Sequence, residues 1–170
     1  MLFLRLDRFT IIFLAAAVTL GSCFAQEHES TAHDHHMADV NRHGAEAMGF
    51  DQQESEHHFR LSKDGGVVEV TAKNADDKSS IEQIRTHLKM QAEKFSQGDF
   101  AAPEHTHGRV PPGTEVMKQM KSEIKYEYQP KLHGGMLHIS SGSPKAIEAI
   151  HDFLRFQIQD HETGDSLDVR

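Results

Sequence analysis

Fourteen histidines and a single cysteine in 170 residues set the chemistry open to this chain. A neutral imidazole is both a ligand for borderline metal ions and a proton acceptor near neutral pH. A lone Cys23 forms no disulfide within the chain, so the fold must be held by packing or by a ligand. The histidines fall into groups. His33, His35 and His36, with Asp34 and Met37 between and after them, put several nitrogens and a thioether within reach of one ion. The stretch is either a metal-gathering arm or a solvated tether that is rich in histidine.

His57 and His58 open an alternating apolar run, Phe59 and Leu61. Alternation sends His57 inward and His58 to the opposite face, where parity also places Glu69, Glu127 and His138. That set suits zinc or copper if the strand register brings it together; otherwise it is the polar outer face of a sheet. His105 and His107 form an H-x-H pair. In an extended loop both rings point the same way, as a chelate requires, with a third ligand to come from His57, His87 or the leader. His151 and His161 are ten residues apart on one helix, roughly 15 Å along its axis at about 1.5 Å per residue, too far to share an ion. His87 is the expected neighbour of His151. Against each of these stands the commoner fate of a buried histidine, a hydrogen bond to backbone or carboxylate, with Asp152, Asp160 and Glu162 close by.

Three functions are compatible with this inventory. The leading one is a metal-binding or metal-handling accessory protein for copper or zinc. The second is an enzyme using histidine for acid–base or metal-assisted hydrolysis in a cleft around His57, His87 and His107. The third is a cell-envelope interaction domain whose histidines are structural or pH-sensing. No G-x-S-x-G, H-E-x-x-H or C-x-x-C motif is present, and no nucleotide or organic cofactor is indicated.

The elements that must position these residues are legible. From Ser143 to Asp165 the chain offers a serine N-cap, Pro144 at the first helical position and Gly164 as a left-handed stop. Between them Ile147, Ile150, His151, Leu154, Ile158 and His161 recur at helical spacing. Ile81, Ile84, Leu88, Ala92 and Phe95 trace a second helix ending at Gly98. Lys63 to Gly66 and Pro130 to Gly135 are turn sequences between alternating runs, which predicts two hairpins. The serines near Ser80 serve to cap the first long helix. Ala102 to Gly113 reads as a connector, and Thr114 caps a short helix with Val116, Met117 and Met120 inward. Two ββα units follow: an α+β protein with a four-stranded antiparallel sheet and two long helices on one face. Phe153 and Phe156 lie off the sheet-facing line of the last helix. Either the short inserted helix covers them or a second subunit does, as a homodimer.

The expected organisation is an export signal over residues 1–25, a disordered histidine-rich leader over 26–48, one domain over 49–165 and a frayed tail over 166–170. Arg5 and Arg8 precede the apolar run Phe9 to Leu20, of signal-peptide length and short for a membrane span. Cleavage is expected before Cys23, which would carry a lipid, or after Ala25. The protein is thus expected in the periplasm or cell envelope, touching membrane only through an anchor at Cys23. A formal charge of −8 argues against nucleic acid or an anionic surface as partner.

Met48-Gly49-Phe50-Asp51-Gln52, His57-His58-Phe59-Arg60-Leu61, Lys63-Asp64-Gly65-Gly66, His151 to Ile158 and His161-Glu162-Thr163-Gly164-Asp165 together resemble a family of small exported bacterial proteins of unassigned activity. The resemblance covers about Met48 to Asp165. Members are sometimes labelled aspartate carbamoyltransferase. This chain is too short for two α/β domains and lacks the Ser-Thr-Arg-Thr phosphate loop of that enzyme, so the resemblance implies no active-site residue here.

Overall fold

The computed structural model describes residues 23–49 and 52–170, with side chains from Asp34 onward apart from Ala47. The export segment 1–22 lies outside the described residues. The chain divides into two units, 1–33 and 34–170. In the first, the described part is the start of helix α1 (Cys23–Met48); everything below concerns the second. Among the described residues no helix is long and apolar enough to cross a membrane.

Strands β1 (Ser55–Ser62), β2 (Gly65–Ala72), β3 (Ile124–Lys131) and β4 (Gly134–Ser141) form one antiparallel sheet of order β1-β2-β4-β3. Each hairpin closes through two residues, Lys63-Asp64 in one and Leu132-His133 in the other. β2 and β4 are therefore central and join the two ββα units. Their pairing sets Val68 opposite Leu137 and Gly66 opposite Ile139. One face is apolar and takes helices α2 (Lys78–Ser96) and α5 (Pro144–Asp160). The helices are crossed over: α2 lies mainly on β3 and β4, and α5 mainly on β1 and β2. Ile84, Ile150, Leu154 and Ile139 are fully buried between the layers, and each such side chain contributes about 1.5–3 kcal/mol by leaving water.

Local chemistry explains the helix ends. Asp77, rather than a serine, caps α2: its carboxylate accepts from Ser80 N at 3.1 Å and Ser80 Oγ at 2.7 Å. Ser143 stands at the N-cap of α5 without a side-chain capping bond, Pro144 is its first residue, and α5 ends at Asp160, before the left-handed Gly164. The short helix α4 (Thr114–Gln119) has Gly113, not Thr114, at its N-cap, with φ of +80°. A Cβ there would run into the Ala149 carbonyl of α5. Gly113→Ala should therefore lower stability by about 1–3 kcal/mol, seen as a lower urea midpoint at unchanged slope; an unchanged midpoint would mean α4 is not locked to α5.

Three expectations are corrected. Residues 102–113 are not a plain connector, because Ala101–His107 forms helix α3. Pro103 falls in its first turn, where no N–H bond is lost, and Gly108 at φ +61° stops it. The expected disordered leader is helical from Cys23 to Met48. Val40 is 2 % exposed and its carbonyl accepts from Gln52 Nε2 at 3.3 Å, so burial holds a segment whose composition alone reads as solvated. The tail is not frayed. Asp165 accepts Phe59 N at 2.9 Å and Arg170 N donates to Leu61 O at 3.2 Å, so the C-terminal residues run along the free edge of β1.

Phe153 and Phe156 have no exposed face to offer a second subunit. Phe153 meets Phe95 and Phe100 edge-on at 6.0 and 6.2 Å between ring centres. Phe156 lies 4.8 Å from the ring of His107 and carries the Arg109 guanidinium at 4.8 Å. The chain itself covers both, through the α3 segment that the sequence hides.

Candidate functional site

Where the inward residue of β1 meets the end of α5 and the buried side of α3, three histidines come into contact. The rings of His57 and His161 are parallel within 2° and 5.7 Å apart; His107 stands nearly perpendicular to His161 at 5.0 Å. Strand alternation turns His57 inward, His107 is on the face of α3 that packs on α5, and His161 is the C-cap of α5. These rings, with His87 of α2 and Met48, line a cavity of about 90 Å³, room for roughly three waters at ~30 Å³ each. The remaining wall is mostly apolar, from Phe59, Val68, Val70, Leu88, Leu137 and Phe153, and among the described residues no carboxylate lines it. On its outer side the same His57–His161 pair lines a polar groove with Asn41, Glu56, His58, Lys73 and Thr163. The stacked pair is thus a wall common to both spaces.

Asp160 anchors the cluster from behind. Its carboxylate accepts from His107 Nδ1 at 2.5 Å, from Arg109 at 2.7 Å and from His36 Nε2 at 3.2 Å. Its side chain is only 5 % exposed. Burial alone would raise this carboxyl. The bonds and charges of His107, Arg109 and His36 together hold it below the usual carboxylate range. His107 is in turn pulled below an ordinary imidazole by burial, which outweighs the opposing influence of Asp160 and Gln157. The neutral ring donates Nδ1–H to Asp160 and leaves Nε2 beside the Gln157 amide at 3.1 Å.

The other rings are also kept neutral. Burial, then the nearby His87 and His58, lowers His57 to about 4; burial, then Lys94, lowers His87 to about 4. Burial, with His57 and His107 alongside, takes His161 to about 3. At pH 7 all four present uncharged imidazoles. Gln91, 5 % exposed, also lines the cavity, and neither of its amide atoms has a hydrogen-bond partner among the described residues. One end of the Gln157 amide is likewise unpartnered.

The other predicted ligands go elsewhere. The side chain of His33 lies outside the described residues, and His35 is exposed on α1. His36 belongs to Asp160. His58 is held by Asp165 at 3.1 Å, and Glu69 pairs with Arg60. His138 sits between Glu127 at 3.8 Å and Asp64 at 3.5 Å. The register does set His58 opposite Glu69 and His138 opposite Glu127, but Arg60 takes up Glu69 and Asp165 takes up His58. His151 does not meet His87; its Nε2 bonds Ser62 O at 2.9 Å. Because 105–107 is helical, His105 and His107 diverge. His107 is buried, while His105 is exposed beside His43, at 5.3 Å, and Glu46.

Arg109, Gln91, Gln157 and Met48 are the members the sequence reading missed, whereas Asp160 is one of the carboxylates it places beside the buried histidines. For the two glutamines a signal exists: Gln91 falls three residues after Leu88, and Gln157 three after Leu154, on apolar stripes. Among the described residues no group of three or more His, Cys, Asp or Glu side chains is arranged to hold a metal ion. The reason at His57 and His161 is orientation. Two imidazoles on one tetrahedral ion, at metal–nitrogen distances of about 2.0 Å, have ring centres roughly 5 Å apart, close to the observed spacing. Lone pairs lie in the ring plane, however, and parallel planes do not meet. No protein-family model, curated protein or solved structure matches this chain.

Proposed function

We propose that this is an envelope protein that handles copper or zinc, with His57 and His161 holding one ion at the wall of the cavity and His33, His35 and His36 gathering ions. The observation that supports this reading is the convergence of His57, His107 and His161, from distant parts of the chain, at ligand-like spacing and in neutral form. Carboxylate support of the neighbouring His107 by Asp160 is the arrangement that orients imidazoles around metal centres.

Calorimetric titration of the purified protein with Zn²⁺ and Cu²⁺ tests the proposal. One ion per chain is expected at the cavity, weakened at least tenfold by His57→Gln or His161→Gln and unchanged by exchanging His33, His35 and His36 for Gln. Equal binding by the parent and both cavity variants, each verified as folded by near-UV circular dichroism, would reject the cavity site. The His107–Asp160 pair also supports acid–base catalysis as a second reading, since the carboxylate fixes the tautomer of a general base. The Gln157 amide already occupies Nε2, which makes this reading the weaker one.

A further inference from the structure

The interior of the cavity carries a chemistry that its histidine wall does not explain. We propose that it binds a short-chain primary amide, an uncharged molecule whose polar end pairs with the Gln91 amide and whose apolar end lies against Val68, Leu88, Leu137 and Phe153. No bound ion is needed for this. Gln91 stands on the buried stripe of α2 between Leu88 and Phe95. It is 5 % exposed and lines the cavity, and neither its amide nitrogen nor its amide oxygen has a hydrogen-bond partner among the described residues. A methionine of similar volume would fill the position and leave nothing unpaired, so the amide costs the fold free energy. Departures of that kind are expected where a residue serves binding rather than packing.

Donor pattern, charge and size set the ligand class. An occupant that satisfies Gln91 must present a donor and an acceptor side by side, which is the pattern of a second amide. The unpartnered end of Gln157, on α5, borders the same space. A charged occupant is disfavoured, because most of the wall is hydrocarbon and the imidazoles of His57, His87 and His161 are uncharged at pH 7. Glu56 and Glu162 line the outer groove, and Asp160 is engaged by His107, Arg109 and His36. A dry apolar cavity of about 150 Å³ takes benzene; on that scale the 90 Å³ here takes roughly four non-hydrogen atoms. The unbranched Met48 in the wall adjusts to one more.

Titration of the ¹⁵N-labelled full chain with propionamide, followed in ¹H–¹⁵N spectra, reads the side-chain amide of Gln91 directly; propionate, the same shape with a charge, is the control. Propionamide is expected to shift the Gln91 and Gln157 side-chain signals to saturation, and propionate to leave them unmoved. Gln91→Met should weaken binding about tenfold, as the loss of two hydrogen bonds implies. It should also raise the urea midpoint, because an unpaired amide leaves the interior. Val68→Leu, which narrows the cavity and leaves Gln91 in place, should abolish binding. Shifts that do not saturate, affinity undiminished in either variant, or propionate bound as tightly would each overturn the proposal. So would a lower urea midpoint for Gln91→Met, which would mean that water within the fold already satisfies the amide. Metal binding is read separately, through His57→Gln and His161→Gln, so either idea can fail alone.

Discussion

Asp160→Ala is expected to lower folding stability by about 3 kcal/mol, with Asp160→Asn losing roughly half as much. The carboxylate is 5 % exposed and receives three donors from three separate elements, α1, α3 and the loop after α3. Removing it strands the Nδ1–H of His107, whose side chain is 1 % exposed, in an apolar surrounding. Arg109 is 59 % exposed and recovers water, which keeps the loss at the low end of what breaking a buried pair costs. Asparagine retains one acceptor, which accounts for the smaller loss. Urea unfolding at pH 7 measures both. A difference under 1 kcal/mol for the alanine variant would show that the carboxylate does not hold the site. In that case α3 and the start of the domain are anchored by apolar contacts alone.

The second large effect is with acid. His57, His87 and His161 have folded pKa values of about 4, 4 and 3 against an ordinary 6.5. Between pH 6.5 and about 4 the unfolded chain therefore binds protons that the folded chain refuses, and stability must fall as the pH falls. Each histidine contributes up to about 1.4 kcal/mol per pH unit in that window, so the three together remove several kcal/mol by pH 4.5. Below this, Asp160 and Asp165, both held under the usual carboxylate range, continue the same trend. A urea midpoint that stays flat from pH 7 to 5 would contradict the burial of these rings. The same property separates cavity metal from surface metal. An ion on an ordinary exposed histidine peptide is released near pH 6, whereas one bound by His57 and His161 should still be held at pH 5.5.

Much of this architecture could be read from residue order, and the reason is periodicity. Val68, Val70, Leu137 and Ile139 alternate, and Ile150, Leu154 and Ile158 recur at helical spacing, so two hairpins and two helices were recoverable without coordinates. Helix α3 was not, because Pro103 and Gly108 read as breakers when they are in fact its first-turn proline and its stop. That one misreading had two effects. It set His105 and His107 side by side, and it left Phe156 without a cover. The pairing of His57 with His161 depends on strand order, which no local pattern encodes. The contact between His107 and Asp160 depends on how α3 docks, which is also non-local.

The exchange of helices between the two hairpins has a consequence for how the molecule comes into being. Since α5 mainly roofs the strands made first and α2 those made last, neither half emerging from a ribosome or translocon owns the lid that its sheet requires. A nick in the segment between α3 and α4 should leave two fragments that are separately insoluble yet reassociate when mixed. His57 and His161 are contributed by opposite fragments, so the stacked pair of rings is created only at the last step of assembly.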